Sequence, residues 1–447
     1  MTYFFETYGC QMNSAESAAL VLALRERGWT AAENGESADL VLLNTCAVRQ
    51  TAEQRVMGRL AQYQALKKKR RSVEQGFTLI VAGCMAERLG EGLKETFDAV
   101  DYVMGTAARS VFPVILETLE KGGTKGSLPL TAQFSFSASH LEEGQFHSFV
   151  PIMHGCNNYC SYCIVPYVRG RELSRSPASI MEEIRLLGER GVRAITLLGQ
   201  NVNSYRFEDG ERGMTDFPAL LELVARETEK TPIRWVRFLS SHPKDLSSPA
   251  IRVMAAHRVF CRHLHLCVQH GSNAVLAAMN RRYTRERYLE LVDEIREAMP
   301  GISLSTDILV GFPGETEADL ERTLDLMERV KFHYAYMYHY NPREGTAAYD
   351  LPGRIGEDVK RERLARVIAL QKKHTQELLK QRVGSRETIL IEGISRKNAD
   401  ELIGRTERDE MVAVPGCLAI GRFAQVSLSS LCGNTFRAKE LTLCPGD

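Results

Sequence analysis

The chain has 447 residues, with 57 lysines and arginines against 56 aspartates and glutamates, so it has no global attraction for a polyanion, and any nucleic acid must be held by local patches. Charged residues make up 25% and hydrophobic residues 44%, an ordinary globular mixture that at this length suggests about three domains and excludes a low-complexity or collagen-like chain. No apolar stretch reaches the ~18 residues of a membrane span, and the start, MTYFFE, lacks the basic region and apolar core of a secretory signal, so the expectation is a cytoplasmic protein without membrane attachment.

In chain order, the first 118 residues alternate short apolar runs with helical segments. Residues 3–5, 40–43 and 79–82 read as buried strands, too short for helices. Residues 14–27 are rich in helix formers and stop at Gly28. Strands alternating with helices predict an α/β domain over 1–118, built on an open parallel sheet with both faces covered. Residues 119–144, rich in glycine and serine, read as a linker.

Over 145–378 six strand-like runs stand out, at 149–153, 194–198, 235–239, 264–268, 303–310 and 332–340. Helical patterns at 180–190, 220–227, 288–299 and 320–330 separate several of them. Six such units predict a partial (β/α)6 barrel, since full closure takes eight. A long charged helix follows at about 358–381. Over 379–446 five short runs, at 388–391, 402–406, 411–414, 424–428 and 436–441, predict a small antiparallel β barrel.

Eleven cysteines at irregular spacings, in a chain with no export signal, point to metal ligation or catalysis rather than a disulfide framework. The strongest signal is Cys156-Asn-Asn-Tyr-Cys160-Ser-Tyr-Cys163, just past the first barrel strand. That position is the carboxyl mouth, where barrel enzymes keep their chemistry. Three thiolates on one tight loop suit three corners of a [4Fe–4S] cluster and leave one iron open to a small chelating molecule; electron carriers supply four. A zinc site remains an alternative, with His154 the nearest fourth ligand.

Cys10, Cys46 and Cys84 lie 36 and 38 residues apart, and each follows a predicted strand, beside small or turn-forming residues. In an open parallel sheet the strand carboxyl ends share one edge, so the three thiols are expected to converge as a second three-cysteine cluster site. Cys261, Cys267, Cys417, Cys432 and Cys444 show no such pattern and read as structural. Lys67, Lys68, Lys69, Arg70 and Arg71, the pair Arg281 and Arg282, and the pair Lys372 and Lys373 are candidate phosphate contacts; the first group also fits a plain solvated loop.

The run Cys156, Cys160 and Cys163, with Tyr162 before the last cysteine, resembles the signature of the radical S-adenosylmethionine (SAM) enzymes. With the N-terminal three-cysteine domain and a tail similar to the OB-like TRAM module, the whole resembles the methylthiotransferase family. Tyr8-Gly9-Cys10-Gln11-Met12-Asn13, Leu198-Gly199-Gln200-Asn201-Val202-Asn203 and Ser241-His242-Pro243 resemble its MiaB-type branch. That resemblance implies insertion of sulfur and a methyl group at C2 of prenylated adenosine next to the anticodon. It implies two [4Fe–4S] clusters as cofactors, with Cys10, Cys46, Cys84, Cys156, Cys160 and Cys163 as metal ligands. SAM is then both methyl donor and radical source, and Tyr162, Gln200, Asp307 and Gly311 are its contacts. Gln200 departs from the Gly-Gly-Glu that the family often carries there. Implied partners are a tRNA anticodon loop, an external electron donor and a sulfur source, with the protein a monomer. Two other readings stay open. One is the same chemistry on threonylcarbamoyl-adenosine tRNA or on a ribosomal protein side chain. The other is a two-cluster electron carrier or RNA-binding protein without turnover.

Overall fold

The computed structural model describes residues 1–48, 50–71, 76–123, 134, 136, 144–210, 213–396, 398–416 and 418–444. Most of the expected linker and Cys417 lie outside the described residues. The chain divides into two units. One holds residues 1–141, 154–157 and 163–173, the other 142–153, 158–162 and 174–447.

The first unit is built on five parallel strands, in the order Thr30–Ala31, Thr2–Thr7, Leu40–Thr45, Thr78–Gly83 and Tyr102–Met104. Leu40–Thr45 and Thr78–Gly83 are buried along their whole length, as central strands covered on both faces must be. One face packs Leu40, Leu42 and Ile80 against Leu20, Leu24, Phe112 and Leu116. The other packs Val41, Leu43 and Val81 against Val56, Leu60, Tyr63 and Met85.

The second unit contains six parallel strands in chain order. His147–Pro151, Ala194–Leu198 and Trp235–Phe238 form one sheet, and His263–His265, Ser303–Val310 and Tyr334–His339 the other. Single bridges from Val236 to Phe260 and from Ser241 to Leu266 join the two. This is the expected partial (β/α)6 barrel. Five of the helices outside it start at side-chain caps: Ser176, Asp216, Ser247 and Thr284 accept from the backbone three residues on, and Thr316 with Asp319 makes a full capping box.

The tail closes into a five-stranded barrel of Arg386–Ile394, Glu401–Thr406, Met411–Pro415, Thr435–Leu443 and Phe423–Cys432. It is not antiparallel throughout, because Met411–Pro415 pairs parallel with Thr435–Leu443. A closed ring with an odd number of strands cannot alternate direction all the way round. Phe423 packs edge-on to Trp235, ring centres 4.8 Å apart, and Arg237 donates to the Thr406 carbonyl at 2.8 Å. These contacts seat the small barrel against the strand starts at Ala194 and Trp235.

Candidate active site

In the first unit, Thr2–Thr7, Leu40–Thr45 and Thr78–Gly83 lie side by side, with Thr7 opposite Asn44 and Thr45 opposite Gly83. Cys10 follows the first strand by three residues, and Cys46 and Cys84 follow theirs by one. All three thiols therefore come to one carboxyl edge. Two glycines make this approach possible. At Gly9 (φ +120°) a Cβ would sit 2.4 Å from Cys46 Cβ, and at Gly83 (φ +92°) it would sit 2.5 Å from the Thr45 carbonyl oxygen. Asn13 ties the edge together by donating to the carbonyls of Tyr8 (2.8 Å) and Thr45 (2.9 Å). The Val48 amide donates to Cys46 Sγ at 3.3 Å.

The same unit carries Cys156 and Cys163. Gly155 (φ +78°) is pressed so closely that a Cβ would lie 2.0 Å from the Arg171 carbonyl oxygen, and the Cys156 amide donates to the Gly170 carbonyl at 3.1 Å. A short helix, Val165–Arg169, puts Ile164 and Val168 in an apolar cluster with Ala47 and Cys84. At its end, Arg169 donates to Glu16 Oε1 and Oε2 (2.6 and 3.3 Å) and to Asn13 Oδ1 (3.2 Å). Burial pushes the Cys84 thiol up to about 11, against the pull of the Arg169 cation. His154 stacks on Phe134 with centroids 3.7 Å apart, and its Nδ1 lies 3.5 Å from Arg169 Nη1. The candidate fourth ligand for zinc is thus engaged elsewhere.

In the second unit, Tyr159 (φ +47°) turns the cysteine loop, and Asn280 (φ +56°) clamps it by donating to the carbonyls of Tyr159 (2.9 Å) and Asn158 (3.3 Å). Next to Asn280, Arg281 is 4% exposed. It donates to Cys160 Sγ at 3.3 Å, to Tyr283 Oη at 3.1 Å and to the Cys267 carbonyl at 2.5 Å. Arg281, a candidate phosphate contact by sequence, is instead a buried cation beside the Cys160 sulfur. Lys67 and Arg70 are corrected similarly. They lie on the helix Gln50–Arg71, with Lys67 paired to Asp101 and Arg70 donating to the Ala38 carbonyl. The Lys67 and Arg70 side chains are thus committed to packing the first unit.

The expected SAM contacts fall in two places. Tyr162 packs on a cluster that includes Leu309 and Phe312, bracketing Gly311, where φ is +72° and a Cβ would come within 2.6 Å of Lys360 Cγ. Gln200 follows the strand Ala194–Leu198 by two residues, and its buried Oε1 has no hydrogen-bond partner. Asp307 stands in the other three-stranded sheet, on Ser303–Val310, with Oδ2 3.6 Å from His265 Nε2. Among the described residues, His265, Cys267 and Asp307 form the group whose donor atoms lie within 4.8 Å of one another. Burial pushes the Asp307 carboxyl up, but hydrogen bonding to and charge from His265 outweigh it and hold it low. Cys267, read from the sequence as merely structural, therefore belongs to a polar cluster with His265, two residues before it, and Asp307, 40 residues after it.

Ser241 Oγ, His242 Nε2 and both amide atoms of Asn203 are also buried without partners. Buried polar atoms are normally satisfied, so their concentration just past the strands Ala194–Leu198 and Trp235–Phe238 marks a place built for a polar ligand.

Three family models match the chain: the radical SAM superfamily over residues 150–327, the uncharacterized protein family UPF0004 over 2–105, and the TRAM domain over 380–438. A tRNA-2-methylthio-N(6)-dimethylallyladenosine synthase of Treponema denticola is 50% identical, over 98% of this chain and 99% of its own length. One of Syntrophus aciditrophicus is 40% identical, over 98% of this chain and 94% of its own. The chain belongs to the tRNA-2-methylthio-N(6)-dimethylallyladenosine synthase family. Among solved structures, a radical SAM methyltransferase, TsrM, from Kitasatospora setae, with cobalamin and a [4Fe–4S] cluster bound, is similar in fold. Its TM-score is 0.58 at 15% identity, over 78% of this chain and 77% of that one.

Proposed function

We propose that this chain inserts sulfur and a methyl group at C2 of a prenylated adenosine beside the anticodon of tRNA, with one [4Fe–4S] cluster on Cys156, Cys160 and Cys163 and a second on Cys10, Cys46 and Cys84. The observation that carries the reading is the 50% identity to a named synthase over 98% of the chain. In this reading residues 1–118 carry the second cluster, 145–378 form the radical SAM core and 379–446 hold RNA. The protein works as a cytoplasmic monomer, with an external electron donor and a sulfur source. Among the described residues, no helix is long and apolar enough to cross a membrane.

When bound, the first cluster and SAM supply a one-electron cleavage that yields a carbon radical, and the second cluster supplies a coordination position for sulfur. The remaining work belongs to the chain. Arg281 holds a fixed positive charge 3.3 Å from the Cys160 sulfur, which favours electron arrival at that ligand. Asn280 fixes the loop that carries Cys160. Arg169 puts a cation near Cys84, where burial alone opposes a thiolate. Gln200 offers a buried polar atom without a partner, and Tyr162 packs on the apolar cluster of Leu309 and Phe312, which flank Gly311.

The test is nucleoside mass spectrometry of tRNA from cells lacking the gene. Loss of the methylthio group from prenylated adenosine, with threonylcarbamoyl-adenosine derivatives intact, is the expected result. An unchanged prenylated adenosine, with loss on the other nucleoside or on a ribosomal protein, overturns the substrate.

A further inference from the structure

Ser241 and His242 follow the strand Trp235–Phe238 in a backbone that is held tightly. Ser240 adopts φ +67°, a left-handed conformation that costs a non-glycine residue free energy and persists where the surroundings impose it. Ser241 bridges to Leu266, and its carbonyl accepts from the Cys267 amide at 3.2 Å. His242 accepts at Nδ1 from the Lys244 amide at 3.2 Å, and its carbonyl accepts from the Asp245 amide at 2.9 Å. Its ring stands edge-on to Tyr283, centroids 5.6 Å apart, and Tyr283 in turn meets Arg281, the residue that reaches Cys160.

These contacts fix the chemistry of the imidazole. An acceptor role at Nδ1 puts the proton on Nε2. Burial, reinforced by Arg281, Lys244 and Arg282, holds the ring neutral, with its pKa pushed down to about 2. Nε2–H is therefore a permanent neutral donor. His242 is only 6% exposed and Ser241 is 0% exposed, yet neither Nε2 nor Ser241 Oγ has a partner. An unsatisfied buried donor costs about 1–3 kcal/mol, which a ligand that accepts from it offsets.

We infer that Ser241 and His242 form the recognition site for the reacting edge of the target purine, with His242 Nε2–H donating to one of the two ring nitrogens that flank C2. This deepens the proposed function and rests on it. The chemistry of that edge matches the site: C2 of adenine lies between N1 and N3, both neutral acceptors, which a neutral donor satisfies without leaving a buried charge unpaired. A hydrogen bond to either nitrogen fixes C2 in the plane and withdraws electron density from it. Ser241 Oγ, fixed on the neighbouring residue, is a second polar group for the same edge. The adenine of SAM carries the same ring nitrogens, so the experiment separates the two sources.

The test uses anaerobically reconstituted full-length protein and a prenylated anticodon stem–loop in three forms: natural, 1-deaza and 3-deaza at the target adenosine. Stem–loop and SAM affinities are measured by titration without turnover, for wild type, His242→Phe (ring packing kept, donor removed) and His242→Gln (a donor restored). Removing the donor is expected to weaken natural stem–loop binding about tenfold to hundredfold, with partial recovery in His242→Gln and SAM affinity within about twofold. One of the two deaza stem–loops should lose as much with wild type and nothing further with His242→Phe. Equal deaza penalties in wild type and His242→Phe overturn the proposal, as does a fall in SAM affinity with stem–loop binding unchanged, which assigns the donor to SAM. Wild-type turnover on the natural stem–loop is the control: its absence is a failure of the proposed function, separate from that of the donor.

Discussion

Arg169 and Glu16, 153 residues apart in the chain, form a two-pronged ion pair at 2.6 and 3.3 Å, with both side chains only 3% exposed. Glu16 lies on the helix that Cys10 caps, and Arg169 ends the short helix after Cys163. The pair therefore links the segments that follow two candidate ligand cysteines. Removing one partner of a buried pair leaves an uncompensated charge and costs about 3–5 kcal/mol, whereas replacing both with apolar groups is often close to neutral. Arg169→Met and Glu16→Leu are each expected to lower the stability of the apoprotein by that amount in urea unfolding. The double variant should recover most of the loss. Additive losses in the double variant would show that the two groups do not act as a pair.

Gly155 has no space for a side chain, since its Cβ would lie 2.0 Å from a carbonyl oxygen at a φ of +78°. Gly155→Ala must move the backbone directly before Cys156. The expected outcome after anaerobic reconstitution is about half the wild-type iron, with SAM cleavage lost. Gly210, whose surroundings leave a Cβ without neighbours, is the control; Gly210→Ala should keep full iron. Full iron in Gly155→Ala would contradict the tight approach.

Buried histidines set the acid response. His147, His263 and His333 are pushed down to about 4 and His242 to about 2, in each case chiefly by burial. Each is neutral in the native state and takes up a proton on unfolding below an unfolded pKa of about 6.5. Their contribution is therefore intact above that pH and shrinks as the pH falls. His265 has the opposite sign: burial lowers it, but Cys267 and Asp307 outweigh burial and raise it. Its stabilisation is full below about 6.5 and fades as the pH rises through its raised native value. At pH 5 His265 is protonated in both states and adds no slope, while the four neutral rings together should take up between about three and four protons on unfolding. Urea midpoints should fall clearly from pH 7 to pH 5, and a flat profile would contradict the neutral histidines.

Arg281 supplies a positive charge at hydrogen-bond distance from Cys160 Sγ. Charge and hydrogen bonds at the sulfurs set cluster potentials, and a cation favours the more negative reduced state. Arg281→Gln should make the SAM-binding cluster harder to reduce, moving its potential downward in an EPR-monitored titration. An unchanged potential would show that the charge is screened from the cluster.

How much of this was legible in the sequence follows from range. The cysteine loop is local, so Cys156, Cys160 and Cys163 stand out as a motif. Cys10, Cys46 and Cys84 were legible only because strand ends in a parallel sheet share an edge, which turns an irregular spacing into a placement. The five tail strands were also visible, but not the parallel closing pair, which follows from counting strands around a ring. Long-range partners were not legible. Nothing near residue 169 announces Glu16, and nothing near residue 281 announces the Cys160 sulfur. Lys67 looked like part of a solvated basic run because one helix turn mixes exposed and buried positions, and its Asp101 partner is on another segment. His242 was visible as part of a family motif, while its lack of a partner is a property of the packed molecule alone.

The account turns on a division of labour between two sets of thiols, and Cys10→Ala tests it most directly. The variant is reconstituted anaerobically and given reductant, SAM and prenylated anticodon stem–loop, and 5′-deoxyadenosine and the methylthio nucleoside are quantified together. The account predicts continued SAM cleavage with the methylthio product absent and about half the iron. Methylthio product at the wild-type level, or equal loss of both products with the radical SAM cluster intact, would contradict it.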